Sequence, residues 1–128
     1  MAKSARAKLY TLLDGLWSKA IRKKYGNKCV VCYKTINLAA HHCIVRKAQT
    51  AGVRWLEYNG VPMCVECHLF KYHGQQADKG WHEYFIRVLD SLIPKEEQEN
   101  VRAIGHRITK YSMDDLRELV KTGWWNNA

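Results

Sequence analysis

Two close cysteine pairs, Cys29-Val30-Val31-Cys32 and Cys64-Val65-Glu66-Cys67, constrain this chain more than any other feature in it. Two residues between thiolates let both sulfurs of a pair reach one ion from a tight turn. Two such pairs supply the four soft ligands of a closed, tetrahedral, structural zinc site. The pairs therefore read as one clamp holding a structural Zn²⁺. Gathered between and just after them are His41-His42, Arg46, Arg54, Asn59 and His68, residues that a four-thiolate zinc does not need. With 128 residues, 47% of them hydrophobic, the chain is expected to form one domain with a modest core. Five cysteines and no apolar leader argue for a reducing compartment, where paired cysteines hold metal, so a cytoplasmic location is expected. The leftover Cys43 reads as a small half-buried residue. No apolar run approaches the ~20 residues that span a membrane.

The net charge of +9 is unevenly spread. Residues 1–28 carry eight basic side chains, Lys19, Arg22, Lys23 and Lys24 among them, against Asp14 alone, and residues 29–73 add five, including Arg46, Lys47 and Arg54, against Glu57 and Glu66. From Gly74 onward the charges nearly cancel. A positive field confined to one arm and the cysteine segment is the footprint of a nucleic-acid binder, whose affinity comes largely from phosphate contacts and counterion release. The plainer alternative is a solvated helix face.

Leu9, Leu12, Leu13, Leu16, Trp17, Ala20 and Ile21 recur at helical spacing and predict an amphipathic helix from about Ser4 to Tyr25, ended by Gly26-Asn27, with Arg22-Lys23-Lys24 in its last turn. Residues 1–28 thus form a basic helix and residues 29–74 the zinc core. Within that core Thr35–Ala40 predicts a short strand that delivers the histidine pair. Val53–Tyr58 reads as a second strand or an extended return, Asn59-Gly60 as a turn, and Glu66–Tyr72 as about two turns of helix stopped by Gly74. Residues 75–128 form a helical layer: one stripe through Trp81, Tyr84, Phe85, Val88 and Leu89, a second through Val101, Ile104 and Ile108, and a third through Leu116, Leu119 and Val120. Pro94 with Glu96 and Glu97 marks a helix start, and Ser112 with Asp115 resembles a capping box.

A closed four-cysteine zinc has no open position, so any reaction needs a second ion. His41 and His68 are its candidate ligands, because the clamp brings a strand end and the residue after the last cysteine together. His42 is then placed to act as general base on a water, and Arg46 and Arg54 to grip phosphate oxygens.

His41-His42, Asn59 nine residues before His68, and the flanking cysteine pairs resemble the HNH endonucleases of the zinc-containing ββα-metal type. Leu13-Asp14, Trp17-Ser18-Lys19, Ile21-Arg22, His42 with Arg46, Arg54-Trp55 and Lys110-Tyr111 are similar, more narrowly, to the phage recombination nucleases of the NinG/Rap type. That group often has Asn where this chain has His68, and a small or polar residue where it has His41. The resemblance implies an α+β fold: a zinc-stapled, treble-clef-like ββα-metal core between the basic helix and the helical layer. It implies His42 as base, Asn59 as brace of the histidine loop, and His41 and His68 as ligands of a catalytic Mg²⁺ or Mn²⁺. It implies DNA as substrate, branched recombination intermediates above all, cut to 5′-phosphate and 3′-hydroxyl ends by two copies acting together, in a bacterial host cytoplasm. Arg54, Lys19, Arg22, Lys23, Lys24, Lys47 and His73 are the expected nucleic-acid contacts. A nicking or homing-type nuclease on duplex DNA and a non-catalytic zinc-dependent binding module are the alternatives.

Overall fold

The basic N-terminal segment folds as helix α1 (Ala5–Lys24), and both its ends are written in side chains. Ser4 caps it, its hydroxyl accepting from the Ala7 N–H at 3.1 Å. At the other end Gly26 and Asn27 take positive φ (75° and 56°), which turns their N–H groups back onto the carbonyls of Lys23 and Arg22. Leu13, Trp17, Ala20 and Ile21 form its buried face. Burial of each large member contributes about 2 kcal/mol.

The computed structural model describes residues 3–46, 51–68, 79–107 and 110–127. After α1 come β1 (Leu38–His41), β2 (Val61–Cys64), α2 (Lys79–Leu92), α3 (Lys95–Gly105) and α4 (Met113–Thr122), with 3-10 turns at Ala51–Val53, Glu57–Asn59 and Trp124–Asn127. The architecture is α+β: β1 and β2 pair antiparallel, Leu38 opposite Cys64 and His41 opposite Val61, and the helices pack around this hairpin-like sheet. The cysteine turns are tied to it by backbone. Val30 donates to the Pro62 carbonyl at 3.1 Å and Val65 to the Asn37 carbonyl at 3.0 Å.

Among the described residues the core lies in three clusters. Cys29, Val30, Val61, Met63, Cys64 and Cys67 pack against Phe85, Leu89 and Ile93 of α2 and its end. The α1 face packs with Trp55, Leu116 of α4 and Trp125 of the tail. Val45, Val53 and Val101 of α3 make the smallest cluster. Among the described residues no helix is long and apolar enough to cross a membrane.

Several expectations are corrected. Val53–Tyr58 is not a strand but the link between two 3-10 turns, because the carbonyls of residues 54, 55 and 56 accept from side-chain rings and leave no ladder to share. The strand that pairs with β1 is instead Val61–Cys64, hidden in sequence by Pro62 and by the absence of alternation, since all four residues are buried. Strand β1 begins at Leu38 rather than Thr35, after Asn37 takes φ 54°. Tyr84 stands exposed, off the buried stripe of α2. Ile108 falls beyond α3 and, with residues 69–78, outside the described residues, as does the rest of the helix expected at Glu66–Tyr72; residues 65–68 begin helically. The Ser112–Asp115 capping box forms in full.

Helix α1 approaches the backbone just ahead of β2 so closely that only glycine fits there: a Cβ on Gly60 would lie 2.4 Å from Trp17 Cζ2 and 3.0 Å from Ile21 Cδ1. Gly60→Ala is therefore expected to destabilise the fold by about 1–3 kcal/mol through overpacking. A lowered urea midpoint with an unchanged m-value checks this.

Candidate metal centre and histidine cluster

The two cysteine turns converge. One sulfur from each of Cys29, Cys32, Cys64 and Cys67 lies within 4.8 Å of all the others, and Cys32 Sγ and Cys64 Sγ are 3.5 Å apart. A tetrahedral Zn²⁺ with bonds of about 2.3 Å needs sulfurs about 3.8 Å apart, so the set fits. The Val31 N–H donates to Cys29 Sγ and the Cys67 N–H to Cys64 Sγ, each at 3.4 Å, an arrangement suited to thiolates. Electrostatics agrees. Burial raises the Cys29 thiol, but hydrogen bonds from the surrounding backbone outweigh it and bring the group down to about 7. Burial, with the neighbouring thiols, holds Cys67 well above the ordinary range, and burial also raises Cys32. Four crowded sulfurs cannot all ionise unaided, and a divalent cation at their centre removes that conflict. The cluster could hold a structural zinc. Cys43 stays outside it, its thiol pushed up to about 12 by burial.

The histidines sit on this frame. His41 closes β1, buried at 8% exposure, and its ring lies 4.7 Å from that of His68, which follows the second cysteine pair directly. Nε2 of His41 is shut away from solvent. Phe85 backs His41 at 6.2 Å and is itself stacked on Trp81.

His42, one residue past the strand, is held differently. Its Nε2 lies 2.8 Å from the Arg54 carbonyl and its ring is stacked on Trp17, centroids 4.2 Å apart and planes 14° from parallel. A carbonyl only accepts, so Nε2 carries the hydrogen and Nδ1 of the neutral ring carries the lone pair. The loop behind it hangs on Asn59, fully buried, whose Oδ1 accepts from the N–H groups of Ile44 and Val45 at 3.0 and 2.9 Å. Its Nδ2 donates to the carbonyls of Val45 and Val53 at 2.8 and 3.0 Å, so three of the four bonds hold that loop and the fourth ties it to the Ala51–Val53 turn.

Arg54 is engaged within the protein. Its Nε and Nη2 donate to the two oxygens of Asp14 at 2.8 and 2.6 Å, and those bonds raise its already high pKa. Trp55 Nε1 donates to Asp14 as well, at 2.9 Å, and Tyr10 lies under the guanidinium. A phosphate reaching Arg54 would have to share it with Asp14. Arg46, Lys19 and Lys23 are exposed. Arg22 Nε donates to the Ser18 carbonyl, and Lys24 pairs with Glu57 at 3.1 Å and lies over Tyr58. Lys23, Lys24, Glu57, Trp124 and Asn127 line an open cavity of about 400 Å³. Lys47 and His73 lie outside the described residues.

Asp14, Trp17 and Trp55 are residues that the sequence places among the motifs of the resemblance and, for Trp17, on the apolar face of α1, but gives no part in the site. Besides its place in the Leu13-Asp14 motif, Asp14 is the sole acid in a strongly basic arm, at helical spacing from Tyr10 and Trp17. Comparison with known proteins finds no matching family model, no matching curated protein and no matching solved structure.

Cys29→Ser or Cys64→Ser is expected to release the metal and unfold the segment around it, since a structural zinc contributes on the order of 10 kcal/mol to a small metallo-domain. A zinc assay on purified protein should give one ion per chain for the wild type and none for either variant, and a variant that keeps both zinc and melting temperature contradicts the site.

Proposed function

We propose that this chain is a metal-dependent DNA endonuclease of the HNH kind, hydrolysing phosphodiester bonds to 5′-phosphate and 3′-hydroxyl ends. The observation that carries the proposal is the posture of His42: its Nε2–H is consumed by the Arg54 carbonyl, its ring is clamped on Trp17, and it follows directly in the chain on His41, whose ring lies 4.7 Å from that of His68. A binding module has no use for an imidazole fixed in one tautomer beside two others.

In this reading Nδ1 of His42 takes a proton from a water as that water attacks phosphorus, and the 3′ oxygen leaves on the opposite side. His41 and His68 would hold the catalytic ion. Two imidazoles fit a divalent ion that draws its remaining ligands from water and phosphate oxygens, and among the described residues no third histidine, cysteine or carboxylate joins them. When bound, the ion supplies Lewis-acid stabilisation of charge on the phosphate and the departing oxygen. Asn59 keeps the His42 loop from drifting, Arg46 contacts a phosphate oxygen, and Arg54 is better suited to anchoring the turn that receives His42 than to gripping substrate. The four-cysteine zinc does no chemistry and fixes the spacing between His41 and His68.

His42→Ala is expected to leave zinc content, melting temperature and DNA affinity nearly unchanged while lowering cleavage at least ~10²-fold, the contribution of a positioned general base. His41→Ala and His68→Ala should instead raise the Mg²⁺ or Mn²⁺ concentration needed for half-maximal cleavage. Full cleavage by His42→Ala removes the assignment. A wild type inactive with every metal favours the zinc-dependent binding module, which the basic face of α1 also suits.

The basic residues of α1 would contact phosphates without reading sequence. Neutralising Lys19, Arg22, Lys23 and Lys24 together should weaken binding to all DNAs alike and flatten the log–log salt dependence by ~0.9 for each lost contact. The wild type is expected to bind and cut a four-way junction, as two cooperating copies, in preference to a linear duplex of the same sequence. Equal cutting of both by a monomer refutes the recombination substrate while leaving the nuclease.

A further inference from the structure

Asp14 lies in the middle of α1, in a part of the chain that needs no carboxylate for either metal site, yet it accepts three side-chain hydrogen bonds from one turn. Arg54 Nε, Arg54 Nη2 and Trp55 Nε1 all donate to it. These three bonds fix two consecutive side chains of one turn, and the peptide carbonyl between them is the acceptor for His42 Nε2 at 2.8 Å. Tyr10, one helical turn before Asp14, stands edge-on to Trp55 and under Arg54. Trp17, one turn after it, stacks on the imidazole and donates its own Nε1 to the Leu56 carbonyl at 2.8 Å. One face of α1 therefore grips the turn at residues 54–56 from its side chains and from its backbone, and that turn grips His42.

We infer that Asp14 is a positioning residue for His42, acting through the Arg54–Trp55 turn to aim the Arg54 carbonyl at Nε2 and so keep the lone pair on Nδ1. The inference deepens the proposed function and rests on its assignment of His42 as base. A carbonyl is a good orienting acceptor only while its peptide plane is fixed. The bidentate pair with Asp14 fixes it: two parallel charge-assisted bonds leave the guanidinium little freedom to swing, and the indole of the next residue is tied to the same carboxylate. The alternative, that the Asp14–Arg54 pair serves stability alone, predicts no change at the imidazole when the carboxylate is removed from a protein that remains folded.

The experiment uses the full zinc-loaded chain, ¹⁵N-labelled at histidine, as wild type, Asp14→Asn, Asp14→Ala and Asp14→Glu. In the wild type the His42 ring should show a single Nε2–H tautomer with a slowly exchanging proton. Asp14→Ala should lose that proton signal and give a mixture of tautomers, with Asp14→Asn intermediate and Asp14→Glu partly restored. In cleavage, kcat should fall about 10- to 100-fold in Asp14→Ala, the cost of a misaimed catalytic group, with KM for DNA and zinc content unchanged. Should Asp14→Ala not fold, Asp14→Asn carries the test. An Nε2–H signal unchanged in the folded variants overturns the inference whatever the cleavage assay gives. A wild type that cuts nothing, but whose signal is lost on Asp14 substitution, supports the positioning and retires only the nuclease reading.

Discussion

The convergence of four cysteine sulfurs is the constraint on which the remaining structure depends. Among the described residues the sheet has two strands of four residues each, too little to hold a register by itself. What fixes it is that Cys64 closes β2 and Cys67 follows it, while the first cysteine turn is bonded to the same strand through the Pro62 carbonyl. The core is accordingly divided into small clusters, one of them made largely of the cysteines and their neighbours. A zinc held by these sulfurs would add stability that so divided an apolar core does not supply by itself.

A second constraint is visible around the turn at residues 54–56. Its consecutive carbonyls accept from three rings that come from three regions of the chain: Arg54 from His42, Trp55 from Trp124 at 3.0 Å, and Leu56 from Trp17. Helix α1, the cysteine segment and the C-terminal tail thus meet at one short piece of backbone, and Asn59 ties the loop after the histidines to the turn before it. Buried polar groups of this kind fix geometry because a lost partner leaves a donor or acceptor stranded at about 1–3 kcal/mol.

Sequence carried the parts of the fold whose causes are local. The limits of α1 follow from Ser4 and Gly26-Asn27, the start of α4 from Ser112 and Asp115, and the cysteine cluster from its spacing alone. It failed where the cause is distant. Residues 53–58 read as a second strand or an extended return, and only the rings that arrive from elsewhere claim the carbonyls of residues 54–56. Residues 61–64 look unlike a strand, with Pro62 inside, and become one because β1 and the first cysteine turn flank them. The candidate site divides the same way. The histidines and cysteines are legible by residue type and spacing, whereas Asp14, Trp17 and Trp55, though part of the motifs quoted for the resemblance, show their link to His42 only in the fold. Arg54, read as a phosphate grip from its charge, turns out to be claimed by that same Asp14.

The three successive carbonyls also set a limit on how this chain can vary in length. Because each is matched to a different ring, inserting or deleting a single residue between Arg54 and Leu56 would put at least one ring out of step with its carbonyl, and the three regions could no longer all dock as they do. Most surface connections absorb such changes freely. This one works as a ruler, and the freedom to lengthen or shorten the protein is confined to segments that no ring measures.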